Sequence, residues 1–394
     1  MVRIVIIGAG PAGLNAAQAL ARALRPSDET EVTVLEKSKF FYHTIGAPRA
    51  YTEGAYAAKM FIPYDNAIPK GAAAFVRILR GVATSISAEK NEVRYRAIGD
   101  DDRPRDEEAI LDFDYLIIAT GSTYAVPIKQ DGANYSRSHT EAQLQEVRAQ
   151  IAKADKILIV GGGAVGCEVA GDIATHFPAK SVTLLEGKDK LIGGNTMTNK
   201  FLTRVAQALE RLRVQIILDE TLEEGLTENC FERRTLRTNK GREIESDIQL
   251  LCAGFSPVGL LVKEMDASLV DERGSVRVNA YLQLDNEKYH HMFALGDVSN
   301  HSTPKLAFWA GEQAKYLTKE LVAIIRRKQA NITRAFPNVS VEAMILPLGP
   351  RGGVSQLPVF RGLVVGNFLT RKIKAKDMLA RRMWGSLNAT TPTA

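Results

Sequence analysis

The sequence predicts an α/β fold: two parallel-sheet units, the second inserted in the first, and a small α+β unit after them. Three observations predict it. The apolar strand Ile4-Val5-Ile6-Ile7 runs into Gly8-Ala9-Gly10-Pro11-Ala12-Gly13, and a second strand, Val32-Thr33-Val34-Leu35, closes on Glu36. The same series returns 153 positions later as Ile157-Leu158-Ile159-Val160, Gly161-Gly162-Gly163-Ala164-Val165-Gly166 and Val182-Thr183-Leu184-Leu185-Glu186. After the second copy, a short apolar strand ending in Gly296-Asp297 reads as a return to the first unit.

The opening strand is β-branched and shows no polar alternation, the pattern of a parallel strand buried on both faces. In the loop behind it, the first glycine permits a tight turn, the second lets backbone approach a pyrophosphate, and the third lets helix pack on strand. The pyrophosphate then sits at a helix N-terminus, where unpaired N–H groups and the helix dipole favour negative charge. Glu36 falls where a carboxylate accepts the two ribose hydroxyls of an adenosine. Gly8, Gly10, Pro11, Ala12, Gly13 and Glu36 therefore form one candidate dinucleotide site, and Gly161, Gly163, Gly166 and Glu186 form a second. A single glycine loop is weak evidence. Two copies, each with its strand and its acid, imply two Rossmann-like domains and two dinucleotides.

Between the copies, Phe113 to Ser122 reads as a further strand ending in Ala119-Thr120-Gly121, small residues suited to crossing a ligand, and Asp100 to Glu108 as a charged hairpin tip. A helix over 140–152 leads into the second copy, with strands near 214–218 and 247–252, and Cys252-Ala253-Gly254 repeats the strand-ending role. The chain then returns through Tyr289 to Asp297, and 304–328 reads as a long helix. Asp297 either holds a flavin's ribityl hydroxyls or caps the following helix. The resulting domains are 1–124 with 255–330, 125–254, and 331–394, the last a small α+β unit with a basic end.

The 394 residues are 45% apolar, ordinary for globular cores, and no apolar run reaches the roughly 18 residues that a bilayer span needs. The first strand begins at residue 2 or 3, leaving no room for a cleaved leader, and Val2 excludes N-myristoylation, so a cytoplasmic protein is expected. Cys167, Cys230 and Cys252 are scattered, without a CxxC or CxxxxC pair. A helix N-terminus lowers a thiol pKa, but a buried structural thiol is the favoured reading of Cys167. The six histidines show no metal spacing, and no metal site is expected. Net charge is +6, yet 361–394 holds seven basic residues and one acid, leaving 44 of each sign in 1–360. The excess belongs to the C-terminal segment.

The series GxGxxG…E, ATG, GxGxxG…E and GD resembles the two-dinucleotide flavoproteins of the pyridine-nucleotide oxidoreductase superfamily. Disulfide reductases of that superfamily carry a CxxxxC after the first acidic strand. Here the stretch is Phe40-Phe41-Tyr42-His43-Thr44-Ile45-Gly46, so thiol-relay chemistry is excluded. Three stretches instead resemble the ferroptosis suppressor and apoptosis-inducing-factor-like quinone reductases, relatives of type II NADH dehydrogenases. They are Phe41-Tyr42-His43 leading to Arg49-Ala50, Thr303-Pro304-Lys305-Leu306-Ala307 with Ala310-Gly311, and Leu348 to Gln356. The closing stretch Lys374 to Leu379, with Trp384, is also similar.

The resemblance implies that the first site holds FAD, with Lys37, Arg49, Val82, Thr120, Gly121 and Asp297 added to the fingerprint, and that the second admits a nicotinamide nucleotide. It implies hydride transfer to the flavin and two electrons onward to a quinone. Glu186 argues for NADH, since a carboxylate repels a 2′-phosphate; Lys188 and Lys190 soften that and keep NADPH open. The candidate catalytic residues are Glu168, Lys305 and Lys374. Glu168 is otherwise a first-turn acid favoured by the dipole. Lys305 stands at a helix start, a poor place for a cation unless held for a partner, and is otherwise solvated. Lys374, in the closing segment, is expected to cover the site. Two alternatives stay open: a redox-sensing interaction protein of the apoptosis-inducing-factor kind, and a reductase of a small iron–sulfur carrier.

On a helical wheel Leu379, Ala380, Met383, Trp384 and Leu387 share one side, with Arg381 and Arg382 on the other. That pattern suits peripheral contact with a lipid surface through 371–388; its alternatives are packing on the protein body or a homodimer seam. Nucleic acid is disfavoured, because Trp384 is the only aromatic interleaved with the basic side chains.

Overall fold

The computed structural model describes residues 1–193, 197–327, 331–338 and 343–392. Its largest sheet has seven strands in the order Met292–Ala294, Tyr115–Ile118, Val2–Ile7, Thr30–Glu36, Val76–Ser87, Glu92–Ile98 and Pro104–Asp112. The first five are parallel neighbours, and the last three form an antiparallel ribbon. Val76–Ser87 serves both arrangements, pairing with Thr30–Glu36 up to Arg80 and with Glu92–Ile98 from Gly81. Gly81 stands where the ribbon bends; a Cβ there would lie 2.9 Å from both Leu35 and Tyr95.

A second, four-stranded parallel sheet has the order Val214–Leu218, Ser181–Glu186, Lys156–Val160, Ile248–Leu251. All of it lies in sequence between strands of the first sheet. The chain crosses out at Ser122–Thr123 and back at Ser256–Pro257, and these two segments pair antiparallel. Met344–Pro347, Gly353–Leu357 and Leu363–Val365 form a third, antiparallel sheet, followed by short helical turns over Asn367–Ala375 and Ala380–Ser386.

Each glycine loop opens a 13-residue helix, Pro11–Ala23 and Ala164–His176. The first packs along the long helix Ala307–Arg327, whose Leu317 and Leu321 are fully buried. The second is buried along nearly all its length and receives the third sheet. At Gly171 a Cβ would come 2.6 Å from the Leu348 backbone, so only glycine admits that contact. One apolar core joins residues 41–62, the second parallel sheet, Leu346 and Val354 of the third sheet, and Met378, Trp384 and Leu387.

The tail therefore corrects one expectation. Its apolar face, Ala380, Trp384 and Leu387, is buried in that core, and the Trp384 indole donates to the Lys59 carbonyl. A helical wheel shows that a face is apolar without showing what it meets. Here it meets residues of the 41–67 region, so neither a lipid surface nor a dimer seam receives it. Among the described residues no helix is long and apolar enough to cross a membrane.

Candidate active site

The two fingerprints fold alike almost atom for atom. Gly8 has φ +97° and Gly161 +112°, a conformation that suits glycine. A Cβ on Gly8 would strike the Ala119 carbonyl at 2.5 Å, and one on Gly161 the Cys252 carbonyl at 2.6 Å. Gly13 and Gly166 lie under the loop itself, where a Cβ would come 1.8 and 1.9 Å from the carbonyl oxygens of Gly8 and Gly161. Gly10 and Gly163 differ: beside each, a Cβ would meet nothing within 4 Å. Two glycines close each turn while the middle one borders open space at a helix N-terminus, the shape that a pyrophosphate needs. The residues fit dinucleotides in both copies.

The acids match too. Glu36 accepts from the Ala9 and Ser38 amides (2.6 and 2.7 Å), and Glu186 from the Gly162 and Lys188 amides (2.6 and 3.0 Å). Burial raises the pKa of Glu36, partly offset by those bonds. Each carboxylate is thus anchored by one loop amide at the rim of its cradle. Next to the first cradle, Lys37 and Val82 line a cavity of about 640 Å³ with Asp101 to Pro104 and Gly132 to Ser136. Lys37 donates to the Gly132 carbonyl (3.0 Å) and stands over the Tyr135 ring.

Small residues bring the remaining parts together. Gly121, at φ +73°, borders open space, and Thr120 donates to the Val258 carbonyl. Gly296 sits against Ala12, where a Cβ would come 3.0 Å from the Ala12 Cβ, so Asp297 is delivered beside the first loop. The Asp297 carboxylate accepts from Ser122 (2.7 Å) and Lys129 (3.1 Å). It is occupied across the domain crossing and does not cap the long helix.

Of the three candidate catalytic residues, the structure joins two. Lys374 Nζ lies 2.6 Å from Glu168 Oε1, and both side chains are largely buried. Lys374 belongs to a wide, π-type turn, Arg371–Ala375, an irregularity often found at functional places. Glu168 is a buried acid with a partner, and desolvation raises its pKa against the pull of Lys374. Lys305 is elsewhere. Its ammonium donates to the carbonyls of Ser299 (2.6 Å) and His301 (2.9 Å), which explains a cation just before a helix: it gathers loop carbonyls under Asp297. Burial lowers its pKa.

Arg49 departs from expectation. Its guanidinium is 1% exposed and is engaged within the protein, by Asp172 Oδ1 (2.6 Å) and the Ala375 carbonyl (3.0 Å). Sequence reading missed Asp172. The signal was present: a carboxylate one turn beyond Glu168, on a helix otherwise built of small and apolar residues, requires a buried cation. It also missed Lys129, Ser122 and Gln313, whose side-chain oxygen accepts from the Gly296 amide (2.7 Å). These partners lie far apart in sequence, and only the fold pairs them.

The carbonyls of the closing segment are held one after another: Ala375 by Arg49, Asp377 by the Tyr56 hydroxyl (2.9 Å), and Met378 by the His43 ring (2.8 Å). His43 is fully buried, and desolvation pushes its pKa down to about 4, so at neutral pH it is an uncharged donor. Cys167 is a buried thiol whose pKa burial raises, and Cys252 is pushed up to about 12. The described residues hold no cluster suited to a metal ion.

Comparison with known proteins agrees with this architecture. The family model for pyridine nucleotide-disulphide oxidoreductases matches residues 2–314. Apoptosis-inducing factor homolog B of Dictyostelium discoideum is 28% identical over 407 residues, covering 99% of this chain and 98% of that protein. Ferroptosis suppressor protein 1 of Homo sapiens is 27% identical over 394 residues, with 99% and 97% covered. Among solved structures, the sulfide:quinone oxidoreductase of Aquifex aeolicus superposes with TM-score 0.74 at 16% identity, over 100% of this chain and 93% of that one. The likeness extends through the C-terminal unit, beyond the family match.

Proposed function

Since this chain belongs to the pyridine nucleotide-disulphide oxidoreductase family, we propose that it passes two electrons from NADH, through FAD, to a quinone. It is an oxidoreductase that uses FAD and NAD(P)H. The observation that carries the finer reading is the buried Glu168–Lys374 pair. A dithiol relay needs thiolates, and burial keeps Cys167 and Cys252 protonated. The chain offers a carboxylate and an ammonium instead. Full-length likeness to ferroptosis suppressor protein 1, closing segment included, supports a quinone acceptor.

Bound FAD supplies the redox chemistry, taking hydride from the nicotinamide and giving two electrons to the acceptor. The chain holds and orients. Gly8, Gly10 and Gly13, with Pro11 and Ala12 at the helix start, receive the FAD pyrophosphate; Glu36, Lys37 and Val82 serve its adenosine end; Thr120, Gly121 and Asp297 serve the other. Gly161, Gly163, Gly166 and Glu186 receive NADH. Glu168 and Lys374 place a proton-holding pair at the head of the second fingerprint helix. Arg49 is a positioning residue, fixing Asp172 and the carbonyl next to Lys374, and Lys305 holds the loop beneath Asp297.

Quinones are lipid-borne, and we place lipid contact on the segment 359–373 instead of the buried tail face. Phe360, Leu363, Phe368, Leu369 and Ile373 are exposed there, Phe368 at 77%, alongside Arg361, Arg371 and Lys372. Apolar side chains beside exposed cations suit an anionic headgroup layer.

The test of the acceptor is spectroscopic. The flavin absorbance of pure holoenzyme, bleached anaerobically with NADH, is expected to return on adding one equivalent of a soluble quinone. Recovery with an iron–sulfur protein and not with any quinone would overturn the reading.

A further inference from the structure

Glu168, Asp172 and His176 are four residues apart on the helix Ala164–His176 and share one face, each a turn from the next. Each meets a different part of the chain: Lys374 at 2.6 Å, Arg49 at 2.6 Å, and Glu53, whose Oε1 lies 2.9 Å from His176 Nε2. The row runs from the interior to water. Its side chains are 7% exposed at Glu168 and 0% at Asp172, then 23% at His176 and 38% at Glu53.

The links are close. Arg49 Nε lies 2.6 Å from Asp172 Oδ1 and 3.5 Å from Glu53 Oε1, drawing the inner and outer carboxylates towards one nitrogen. His176 Nδ1 is hydrogen-bonded to the Asp172 main-chain carbonyl at 2.8 Å and lies 4.0 Å from Asp172 Oδ1, so the ring must swing off that carbonyl to reach the carboxylate. Asp172 Oδ2 is buried and, among the described residues, accepts no hydrogen bond. A purely structural buried carboxylate ordinarily has both oxygens satisfied.

We propose that this row is a proton inlet: His176 and Glu53 collect a proton from water, Asp172 receives it, and Glu168 with Lys374 hands it on towards the acceptor. The inference rests on the quinone reading above. The overall reaction, NADH + H⁺ + quinone giving NAD⁺ + quinol, draws two electrons and one proton from NADH, as hydride, and a second proton from water. Within the row only protons move. Protonated His176 loses its N–H proton to the Asp172 carboxylate, making an O–H bond; Asp172 passes that proton to Glu168 and is ionised again; His176 is then reprotonated from solvent.

The groups facing this path suit the task. Burial raises the proton affinity of Asp172 and Glu168, and the hydrogen bond that His176 donates to Glu53 raises that of His176. His176 faces Glu53 and, on its own helix, Asp172, while Arg49 and Lys59 act on Glu53 from the adjoining turns.

The test compares two acceptors on the holoenzyme. A soluble quinone takes up hydrogen; two ferricyanide ions take electrons alone from NADH, releasing NAD⁺ and H⁺. His176→Gln and Glu53→Gln alter only the outer end of the row, with flavin content and melting temperature as checks on the fold. Quinone turnover is expected to fall about tenfold in His176→Gln, with a larger solvent deuterium isotope effect, while ferricyanide turnover stays within about twofold of wild type. Independently of turnover, the NMR titration of His176 is expected to move to lower pH in Glu53→Gln. Equal losses with both acceptors, or no loss with either, overturn the inlet alone. A wild-type enzyme that reduces ferricyanide and no quinone overturns the quinone reading and the inlet with it.

Discussion

At the scale of single residues, charge decides most. Glu186 stands at the rim of the second cradle, so a 2′-phosphate would meet a carboxylate already fixed by the Gly162 amide. Wild-type kcat/KM is expected to favour NADH over NADPH, and Glu186→Ser to raise the NADPH-to-NADH ratio about tenfold or more; steady-state kinetics with both nucleotides measure it. Lys374→Met leaves Glu168 buried without its cation, at a cost of about 3–5 kcal/mol when Glu168 is ionised. The sign of the pH dependence follows. Desolvation already raises the folded-state pKa of Glu168 above the ordinary 4.5, and removing Lys374 raises it further. Through that window the folded variant binds more protons than the unfolded chain, so its stability falls as pH rises. The deficit against wild type is expected to be smallest at acid pH, where Glu168 is protonated, and to grow as pH rises through its raised pKa, read as the difference in melting temperature.

At the scale of elements, the two loops make contrasting forecasts. Gly10→Ala and Gly163→Ala add a methyl to open space, so the folds stand and binding suffers. Gly10→Ala protein is expected to purify folded with little flavin, and Gly163→Ala to keep its flavin while KM for NADH rises about tenfold, since the lost approach belongs to the ligand. Gly13→Ala drives a methyl to 1.8 Å from the Gly8 carbonyl and is expected to lower stability by 1–3 kcal/mol or more, as overpacking does. Urea unfolding of the flavin-free proteins separates the cases. These loops were legible in sequence because turn, helix start and acid lie within about 30 residues and obey local chemistry. Arg49 was legible as a special cation, but its partner was not, since Asp172 is 123 positions away and no local pattern couples them. The place of Lys305 before a helix leaves a held cation and a solvated one equally open; that two loop carbonyls hold it is invisible without the fold.

At the scale of the whole molecule, the α/β class and the presence of two dinucleotide units were readable because a repeated motif is hard to produce by accident. The tail was not: amphipathicity gives a face, and tertiary packing chooses its neighbour. Trp384→Ser is therefore expected to destabilise the protein by about 3–5 kcal/mol without weakening its binding to anionic liposomes. Phe368→Ser with Ile373→Ser, both at exposed positions, is expected to leave the melting temperature nearly unchanged and abolish flotation with those liposomes. Flotation lost in the Trp384 variant and kept in the Phe368/Ile373 double variant would reverse that assignment.

The bonds from the 41–67 region and Gln18 to the closing segment also set an order in time. His43 waits 335 positions for Met378, Lys59 waits 325 for Trp384, and the Gln18 amide waits 368 for the Ser386 carbonyl. During synthesis every intervening strand is made first, so the apolar surface around Phe41, Met60 and Ile62 is translated early and closed late. Contacts of such separation carry the largest loop-closure cost and form among the last. The chain must carry an unfinished core through most of its own translation, and a nascent chain stalled before residue 374 is the form most exposed to aggregation and to chaperones.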